Sequence, residues 1–261
     1  MEAIEKLKET ILKEYPRLNK NSKFQFSCHK NIGCFNKCCT DVNIFLTPYD
    51  IIRLKNRLKI SSQEFLDRYT FLPIDENQNF PVVMLRLNRD EEKTCPFVNN
   101  TEGCTVYNDR PWPCRMYPLG IASPKENGNN GDEEFYFILE EPICQGYYER
   151  KNQTINDWIK EQQVEKYTEM GERFKEVSLH DYFKEGKKLE PSKLDMFYTV
   201  CYNVDKFREF VFESTLLKRF EVDEEIIDKI KKDDEELLLF GFEWLKFCLY
   251  GEETMKLKKS N

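Results

Sequence analysis

Residues 28–39 of the chain read CHKNIGCFNKCC, a run in which cysteine recurs at short and irregular intervals. The spacing is Cys28-x5-Cys34-x3-Cys38-Cys39, and it ends on an adjacent pair. Eight of the ten cysteines lie within residues 28–144, whereas the last two are isolated further along the chain. After the first run, the cysteines are Cys95, Cys104, Cys114, Cys144, Cys201 and Cys248. The sequence therefore divides near residue 150 into a cysteine-rich and a cysteine-poor part.

A chain of 261 residues can bury a sizeable core without cysteine cross-links. The formal charge of −7 argues against a nucleic-acid partner, because phosphate binding needs a dense surface of Lys and Arg. The most apolar run covers residues 237–250, is too short to span a membrane and contains two charged residues. Acidic residues among the first nine are unlike an apolar leader. We therefore expect a cytoplasmic protein with no membrane and no nucleic-acid partner.

Thiols spaced a few residues apart on turn-rich backbone can converge on one soft metal centre, either zinc or an iron–sulfur cluster. Five glycines or prolines flank these cysteines and favour such turns: Gly33, Pro96, Gly103, Pro111 and Pro113. Disulfides are disfavoured, because thiols stay reduced in the cytoplasm. Cys201 and Cys248 have apolar neighbours and are expected to be packing residues.

The adjacent pair Cys38-Cys39 limits how the thiols can be shared. On extended backbone, neighbouring side chains point to opposite faces, so that both seldom reach one ion. One thiol can bind a metal while the other binds a second centre, donates to the first cluster's sulfurs or acts as a nucleophile. Eight cysteines can thus form two four-ligand sites, or one 4Fe–4S cluster with spare thiols. The irregular gaps resemble cluster binding more than a zinc ribbon, and both metals stay open.

The hydrophobic pattern predicts an α+β protein, with a small mixed cysteine-rich metal-binding domain over residues 1–150 and an α-helical C-terminal region over residues 151–261. Strands are expected over residues 42–46, 82–87 and 134–139, and the last two are expected to pair across the second cysteine group. Helices are expected over residues 2–15, after caps at Thr47, Ser61 and Thr154, and over residues 205–220, 223–231 and 235–250. A polar loop rich in Gly and Asn covers residues 123–132.

Common catalytic motifs are missing from the sequence. It contains no G-x-G-x-x-G loop, no G-x-x-x-x-G-K-[ST] loop and no G-x-S-x-G elbow. Asp41 stands where a C-x3-C-x2-C radical-SAM triplet would need its third cysteine. The two histidines offer few general bases; we expect His29 to face solvent and His180 to have no ligand role. The catalytic residues stay unknown, and if the protein is an enzyme, its metal centre carries the chemistry.

Further segments surround the later cysteines with a specific pattern. They are Cys95-Pro96-Phe97, Gly103-Cys104-x-Val106-Tyr107 and Arg110-Pro111-x2-Cys114-Arg115-x-Tyr117-Pro118. Together with the first cysteine run and Thr47-x2-Asp50, these segments resemble the YkgJ-type cysteine-cluster family. Members of that family are described as chelating zinc or iron, and the flagellin lysine N-methylases belong to it. The resemblance covers most of residues 24–250.

The resemblance implies a metal-binding role for eight cysteines, which are Cys28, Cys34, Cys38, Cys39, Cys95, Cys104, Cys114 and Cys144. Its flagellin methylase branch implies a 4Fe–4S cluster and methyl transfer to lysine. Arg110 and Arg115 belong to the same pattern. Guanidinium donors near a thiolate cluster would offset its negative charge, so both arginines are candidate cofactor-binding residues.

Three functional hypotheses follow from these patterns. The first is a cytoplasmic metal-binding protein that holds an iron–sulfur cluster, preferably 4Fe–4S, for a redox or group-transfer role. The second is a zinc-binding interaction module whose helical tail recognises a protein partner. The third is a lysine N-methyltransferase-like enzyme that uses S-adenosylmethionine. Whether the protein is an enzyme stays open at this point.

Overall fold

The computed structural model describes residues 13–73, 78–99, 101–122, 134–184 and 186–259. The expected α+β class is confirmed, because helix and strand are mixed and the helices concentrate in the C-terminal region. The described strands are β1 (Lys23–Gln25), β2 (Phe45–Leu46), β3 (Thr70–Phe71), β4 (Val83–Leu85), β5 (Val98–Asn99), β6 (Gly103–Cys104), β7 (Leu119–Ala122), β8 (Phe135–Ile138) and β9 (Asn152–Thr154). The described α-helices are α1 (Pro48–Leu58), α2 (Ser62–Tyr69), α3 (Trp112–Met116), α4 (Ile155–Glu161), α5 (Glu165–Ser178), α6 (Asp181–Lys184), α7 (Pro191–Tyr202), α8 (Val204–Glu213), α9 (Leu216–Arg219), α10 (Glu224–Lys232) and α11 (Asp234–Leu245).

The described strands form small antiparallel sheets. β4 lies between β2 and β3, while β1 pairs with β9, β5 with β6 and β7 with β8. The expected pairing of residues 82–87 with residues 134–139 is therefore wrong. β8 pairs instead with the strand that directly precedes it, because closing the shorter loop loses less chain entropy.

The predicted helix starts at Thr47 and Thr154 are confirmed. The Thr47 side chain accepts a hydrogen bond from the Asp50 amide, and the Asp50 carboxylate accepts one from the Thr47 amide, which closes a capping box. Asp157 does the same for Thr154 at the start of α4. The Ser61 side chain also accepts from a backbone amide at the start of α2. These caps satisfy amide groups that the first helical turn leaves without partners.

The helix expected over residues 205–220 is wrong as one element. It divides into α8 and α9 at Ser214, whose hydroxyl accepts a hydrogen bond from the Leu216 amide and so begins a new turn. The predicted helix over residues 223–231 is confirmed as α10. The expected helix over 235–250 consists of α11 and a π-helical turn over Lys246–Tyr250. Most of the expected helix 2–15 and all of the polar loop 123–132 lie outside the described residues.

Two hydrophobic cores organise the described residues. The main core brings together α1, α2, α5, α7, α8 and α11 around fully buried rings such as Phe65, Phe197 and Phe242. The smaller core lies between β1, β7, β8 and α4, and it contains Phe26 and Cys144. The main core draws side chains from both sides of residue 150, so helices of the C-terminal region pack directly on the cysteine-rich region. The boundary at residue 150 itself stays a prediction.

A buried ion-pair network also joins the two regions. Lys55 in α1 is 6% exposed, and its Nζ lies 3.2 Å from Asp205 Oδ1 and 2.9 Å from Asp234 Oδ2. Arg208 of α8 also contacts Asp234. Charges held this far from water need such partners, so the network keeps α1 in register with α8 and α11. No described helix is long and apolar enough to cross a membrane.

Candidate metal centre

Four of the predicted ligands line one small pocket beside the smaller core. Cys28, Cys34, Cys38 and Cys144 share this pocket with the side chains of Phe26, Ile32, Tyr117 and Ile143 and with Gly146. We name these four cysteines the first thiol group. Cys34 and Cys144 are buried, whereas Cys28 and Cys38 are exposed as whole residues although they line the pocket. Burial, followed by repulsion from the other three thiolates, raises the pKa of Cys28 to about 11.

The first run reaches this pocket through turns rather than regular strands. Asn36 adopts a left-handed conformation at φ 68°, which asparagine tolerates better than most residues. A 3-10 turn over Lys37–Cys39 follows directly. The extended backbone expected for the cysteine pair is therefore wrong. Successive side chains still diverge, because a 3-10 helix rotates by about 120° for each residue.

The other four predicted ligands form a second cluster beside the main core. Cys39, Cys95, Cys104 and Cys114 are half-buried, and we name them the second thiol group. The Cys95 amide donates to the Cys39 carbonyl oxygen at 2.8 Å, and Cys104 lies opposite Val98 in the hairpin of β5 and β6. Burial, followed by repulsion from Cys95 and Cys104, raises the pKa of Cys114 to about 12. Cys39 is repelled in the same way by Cys95 and Cys114.

Backbone amides donate hydrogen bonds to several of these sulfurs. The Gln145 amide lies 3.2 Å from Cys34 Sγ, and the Gly146 amide donates to Cys144. In the second thiol group, the Phe97 and Val98 amides donate to Cys95, and the Val106 amide donates to Cys104. The bonds to Cys95, Cys104 and Cys144 favour the thiolates and lower the pKa of these three cysteines against the effect of burial. Hydrogen bonds from amides to sulfur tune the properties of thiolate-bound metal centres.

Glycine is required where the backbone carries two of these cysteines. Gly103 has a φ of 89° and forms the turn that presents Cys104. A Cβ at Gly146 would lie 2.5 Å from the Phe26 ring and 2.9 Å from the Ser27 carbonyl oxygen. A side chain at Gly146 would therefore push the Cys144 loop away from the first run.

The adjacent pair connects the two groups. The Cys39 thiol donates a hydrogen bond to Cys38, which lowers the pKa of Cys38 to about 7 and raises the pKa of Cys39. Cys38 lines the pocket of the first thiol group, while Cys39 interacts with the thiols of the second. The structure thus brings four of the predicted ligands together in one pocket, while electrostatic repulsion links the other four as a second set. The role of all eight as ligands stays a prediction.

A comparison with protein families covers the segment that carries these cysteines. The sequence model of the CxxCxxCC family, described as a "putative zinc- or iron-chelating domain", matches residues 27–170, more than half of the chain. The chain belongs to the CxxCxxCC family. This membership supports the cysteine-cluster resemblance and a metal cofactor, and the family description names both metals. No curated protein and no solved structure matches the chain.

The donor chemistry fits the metals that the CxxCxxCC description names. Each thiol group supplies four cysteine sulfurs, the donor set of a 4Fe–4S cluster or of a structural zinc ion. Across the described residues, no group of three or more Cys, His, Asp or Glu side chains is arranged so that it could hold a metal ion.

The remaining cysteines belong to neither thiol group. Cys201 is buried in the main core, where burial alone raises its pKa well above the usual range, and Cys248 packs against that core. Both placements agree with the expected packing roles. The His29 side chain is 41% exposed and lies 3.2 Å from Glu149, and His180 stacks on Tyr250. All ten cysteines are free thiols in the structure.

Arg110 lies where its charge reaches both thiol groups. Its positive charge favours the thiolates of Cys28 in the first group and of Cys104 and Cys114 in the second, lowering the pKa of each. The guanidinium is held by the carbonyl oxygens of Tyr107 at 2.6 Å and Cys114 at 3.3 Å. This placement suits the predicted offset of thiolate charge, although cofactor binding itself stays a prediction.

Arg115 has different contacts, which sequence reasoning missed. Its guanidinium is 3% exposed and donates to the carbonyl oxygens of Arg110 at 2.9 Å, Gln162 at 2.7 Å and Asn108. It also stacks over the Tyr167 ring, with 4.2 Å between the guanidinium carbon and the ring centre. These bonds fasten the segment that carries Cys114 onto the start of the helical region. The predicted cofactor role of Arg115 is untested by this geometry.

Asp50 supports the same segment from α1. It is fully buried, and its Oδ1 accepts a hydrogen bond from the Trp112 amide at 2.8 Å. Burial raises the pKa of this carboxyl to about 6, and bonds from the Thr47 and Trp112 amides oppose the shift. The sequence pattern indicated the helix cap at Thr47 but gave no sign of the contact with Trp112.

The raised pKa of Asp50 predicts a pH-dependent stability. Between about pH 4 and pH 6, the folded chain keeps a proton on Asp50 that the unfolded chain has released. Asp50 therefore adds about 3 kcal/mol to the free energy of unfolding below about pH 4. This contribution is lost as the pH rises through 6. Urea unfolding of the wild type and of Asp50→Asn checks this, because their difference in unfolding free energy should change by that amount. A constant difference across this pH range would contradict the prediction.

Proposed function

We propose that the chain is an iron–sulfur protein, in which its cysteines hold at least one cluster, preferably 4Fe–4S, for a redox or group-transfer role in the cytoplasm. The observation that carries the proposal is the first thiol group. Three cysteines of the first run and the distant Cys144 line one pocket with apolar walls, and amides donate to Cys34 and Cys144. A pocket between four thiols suits a cluster of several atoms, which needs one thiolate on each iron.

Several features of the thiols support this proposal. Burial and mutual repulsion disfavour the charged thiolates, and a positively charged iron centre would reverse that effect. The long and unequal gaps between the cysteines also differ from the short knuckles typical of structural zinc. Free thiols throughout the structure fit a reducing compartment and so support the cytoplasmic assignment.

A zinc-binding interaction module is the alternative, and the family description favours it as much as iron. A protein partner could then bind beside the first thiol group, where Ile143 and Tyr148 are exposed by 48% and 81%. The acidic net charge supports a partner other than nucleic acid, and we propose no membrane contact. Lysine methylation with S-adenosylmethionine rests on the flagellin methylase resemblance alone.

Anaerobic purification decides between the two metals. We expect brown protein with iron and acid-labile sulfide in equal amounts, together with the visible charge-transfer absorption of a cluster. Colourless protein with stoichiometric zinc would replace the iron–sulfur proposal with the zinc alternative. A sample with neither metal would contradict both. Incubation with labelled S-adenosylmethionine and lysate tests methyl transfer separately, and no labelled lysine is expected if the cluster is a redox centre.

A further inference from the structure

The two thiol groups differ in where they lie, not only in which cysteines they contain. The first group packs on the smaller core, to which Cys144 itself belongs, with Phe26 and Tyr117 lining its pocket. The second group packs on the main core, with Cys95 and Cys104 against the side chains that also bury Phe97 and Val106. Cys144 in the first group and Cys95 and Cys104 in the second are therefore supported by two separate sets of buried side chains.

We infer that the chain holds two four-thiolate metal centres, one in each thiol group, and that Cys38 and Cys39 are ligands of different centres. This inference rests on the proposed metal-binding function and specifies its stoichiometry and ligand division. Each group contains the four sulfurs that one 4Fe–4S cluster or one zinc ion needs, with none left over.

The geometry of the adjacent pair explains the division. Both residues belong to the 3-10 turn Lys37–Cys39, in which successive side chains diverge by about 120°. The backbone after the turn becomes extended at Thr40, which bridges to Thr94 and carries Cys39 toward the second group. The Cys95 amide donates a hydrogen bond to the Cys39 carbonyl oxygen, which holds the backbone of Cys39 beside the second group. Cys38 interacts with the Cys39 thiol, but of the two only Cys38 lines the pocket of the first group.

Arg110 is buried and donates to the carbonyl oxygen of Cys114 in the second group at 3.3 Å. Its positive charge also favours the thiolates of Cys28 in the first group and of Cys104 and Cys114 in the second. Two four-thiolate centres would repel each other, and this charge reduces the repulsion.

The metal content of the unaltered full-length chain tests the inference directly. We expect two centres for each chain, which corresponds to about eight iron with eight sulfide, or about two zinc, or about four iron with one zinc. A single cluster or a single zinc ion would overturn the two-centre inference and leave the proposed metal binding intact. A chain without metal would contradict both the two-centre inference and the proposed metal binding.

Variants of the adjacent pair test the division of ligands. In Cys38→Ser and in Cys39→Ser, we expect about half of the metal to be lost, with a different half lost in each. Cys144→Ser should match Cys38→Ser in its remaining visible or electron paramagnetic spectrum, and Cys104→Ser should match Cys39→Ser. Cys248→Ser is the control, since this cysteine lies in neither group and should leave the metal content unchanged.

Folding of each variant is checked by circular dichroism before its metal is counted. Two results from folded variants would overturn the inference. One is the loss of all metal from both Cys38→Ser and Cys39→Ser when the unaltered chain holds one centre. The other is full retention of metal after changes in the second thiol group, which would make those cysteines spare thiols.

Discussion

Removal of the metal is expected to unfold the segments that carry the thiols while the main core keeps its structure. Residues 28–40 contain turns, one 3-10 turn and a single bridge residue, so backbone hydrogen bonding alone holds them weakly. Thiolate coordination of a structural metal contributes about 10 kcal/mol to the folded state. The helices of the main core bury rings such as Phe197 and Phe242 independently of these cysteines.

Hydrogen exchange measures this prediction on the full chain before and after the metal is stripped with a chelator and the thiols are reduced again. Amides of residues 28–40 and of the β5–β6 hairpin should lose protection, while amides of α7, α8 and α11 keep it. The helical signal in circular dichroism should change little. Equal amide protection with and without metal would contradict a structural role for the metal. Loss of protection in α11 would show that the cysteine-bearing segments and the main core unfold together.

The sequence predicted the parts of this fold that depend on neighbouring residues. The cap at Thr47 and the helix that follows it are local, because Asp50 lies three positions away and both bonds close within one turn. The start of α4 at Thr154 and the extent of α10 are local in the same sense. Such elements can be read from the order of polar and apolar residues.

The wrong predictions concern contacts that the sequence order does not reveal. Strand patterning identified residues 82–87 and 134–139, but strand partners depend on the path of the whole chain. The break at Ser214 interrupts a helical pattern that is otherwise continuous, because one hydroxyl bonds to the Leu216 amide. A polar residue inside an apolar stripe was the signal that could have located this break.

The candidate site shows the same limit. Eight cysteines could be selected from spacing and resemblance, yet their division into two groups depends on Cys144 reaching back to Cys34. The Gln145 amide donates to Cys34 across 111 positions, and no local pattern encodes that contact. The adjacent pair was considered on extended backbone, whereas it lies in a 3-10 turn. Arginine in the segment around Cys114 was read as charge compensation, which fits Arg110 better than Arg115.

Replacement of Arg115 with methionine is expected to lower the free energy of unfolding by about 3 to 5 kcal/mol. Arg115 is almost fully buried and donates to the carbonyl oxygens of Asn108, Arg110 and Gln162. Methionine fills much of the same volume but donates no hydrogen bond, so these buried carbonyl groups would lose a donor. Arg115→Lys should also be destabilised, because an ammonium group cannot reproduce the planar fork that spans these carbonyl groups.

Urea unfolding of the metal-loaded chain checks this prediction, with Arg86→Met as the matched control. Arg86 is exposed and donates one hydrogen bond to the Asp67 carbonyl oxygen, so its replacement should change the unfolding free energy by less than about 0.5 kcal/mol. Metal content measured on the same samples separates two roles for Arg115. Because the contacts of Arg115 are with backbone carbonyl groups and Tyr167, we expect stability to fall while the folded variant keeps its metal. Unchanged stability with lost metal would instead support the cofactor-binding role that the sequence pattern predicted.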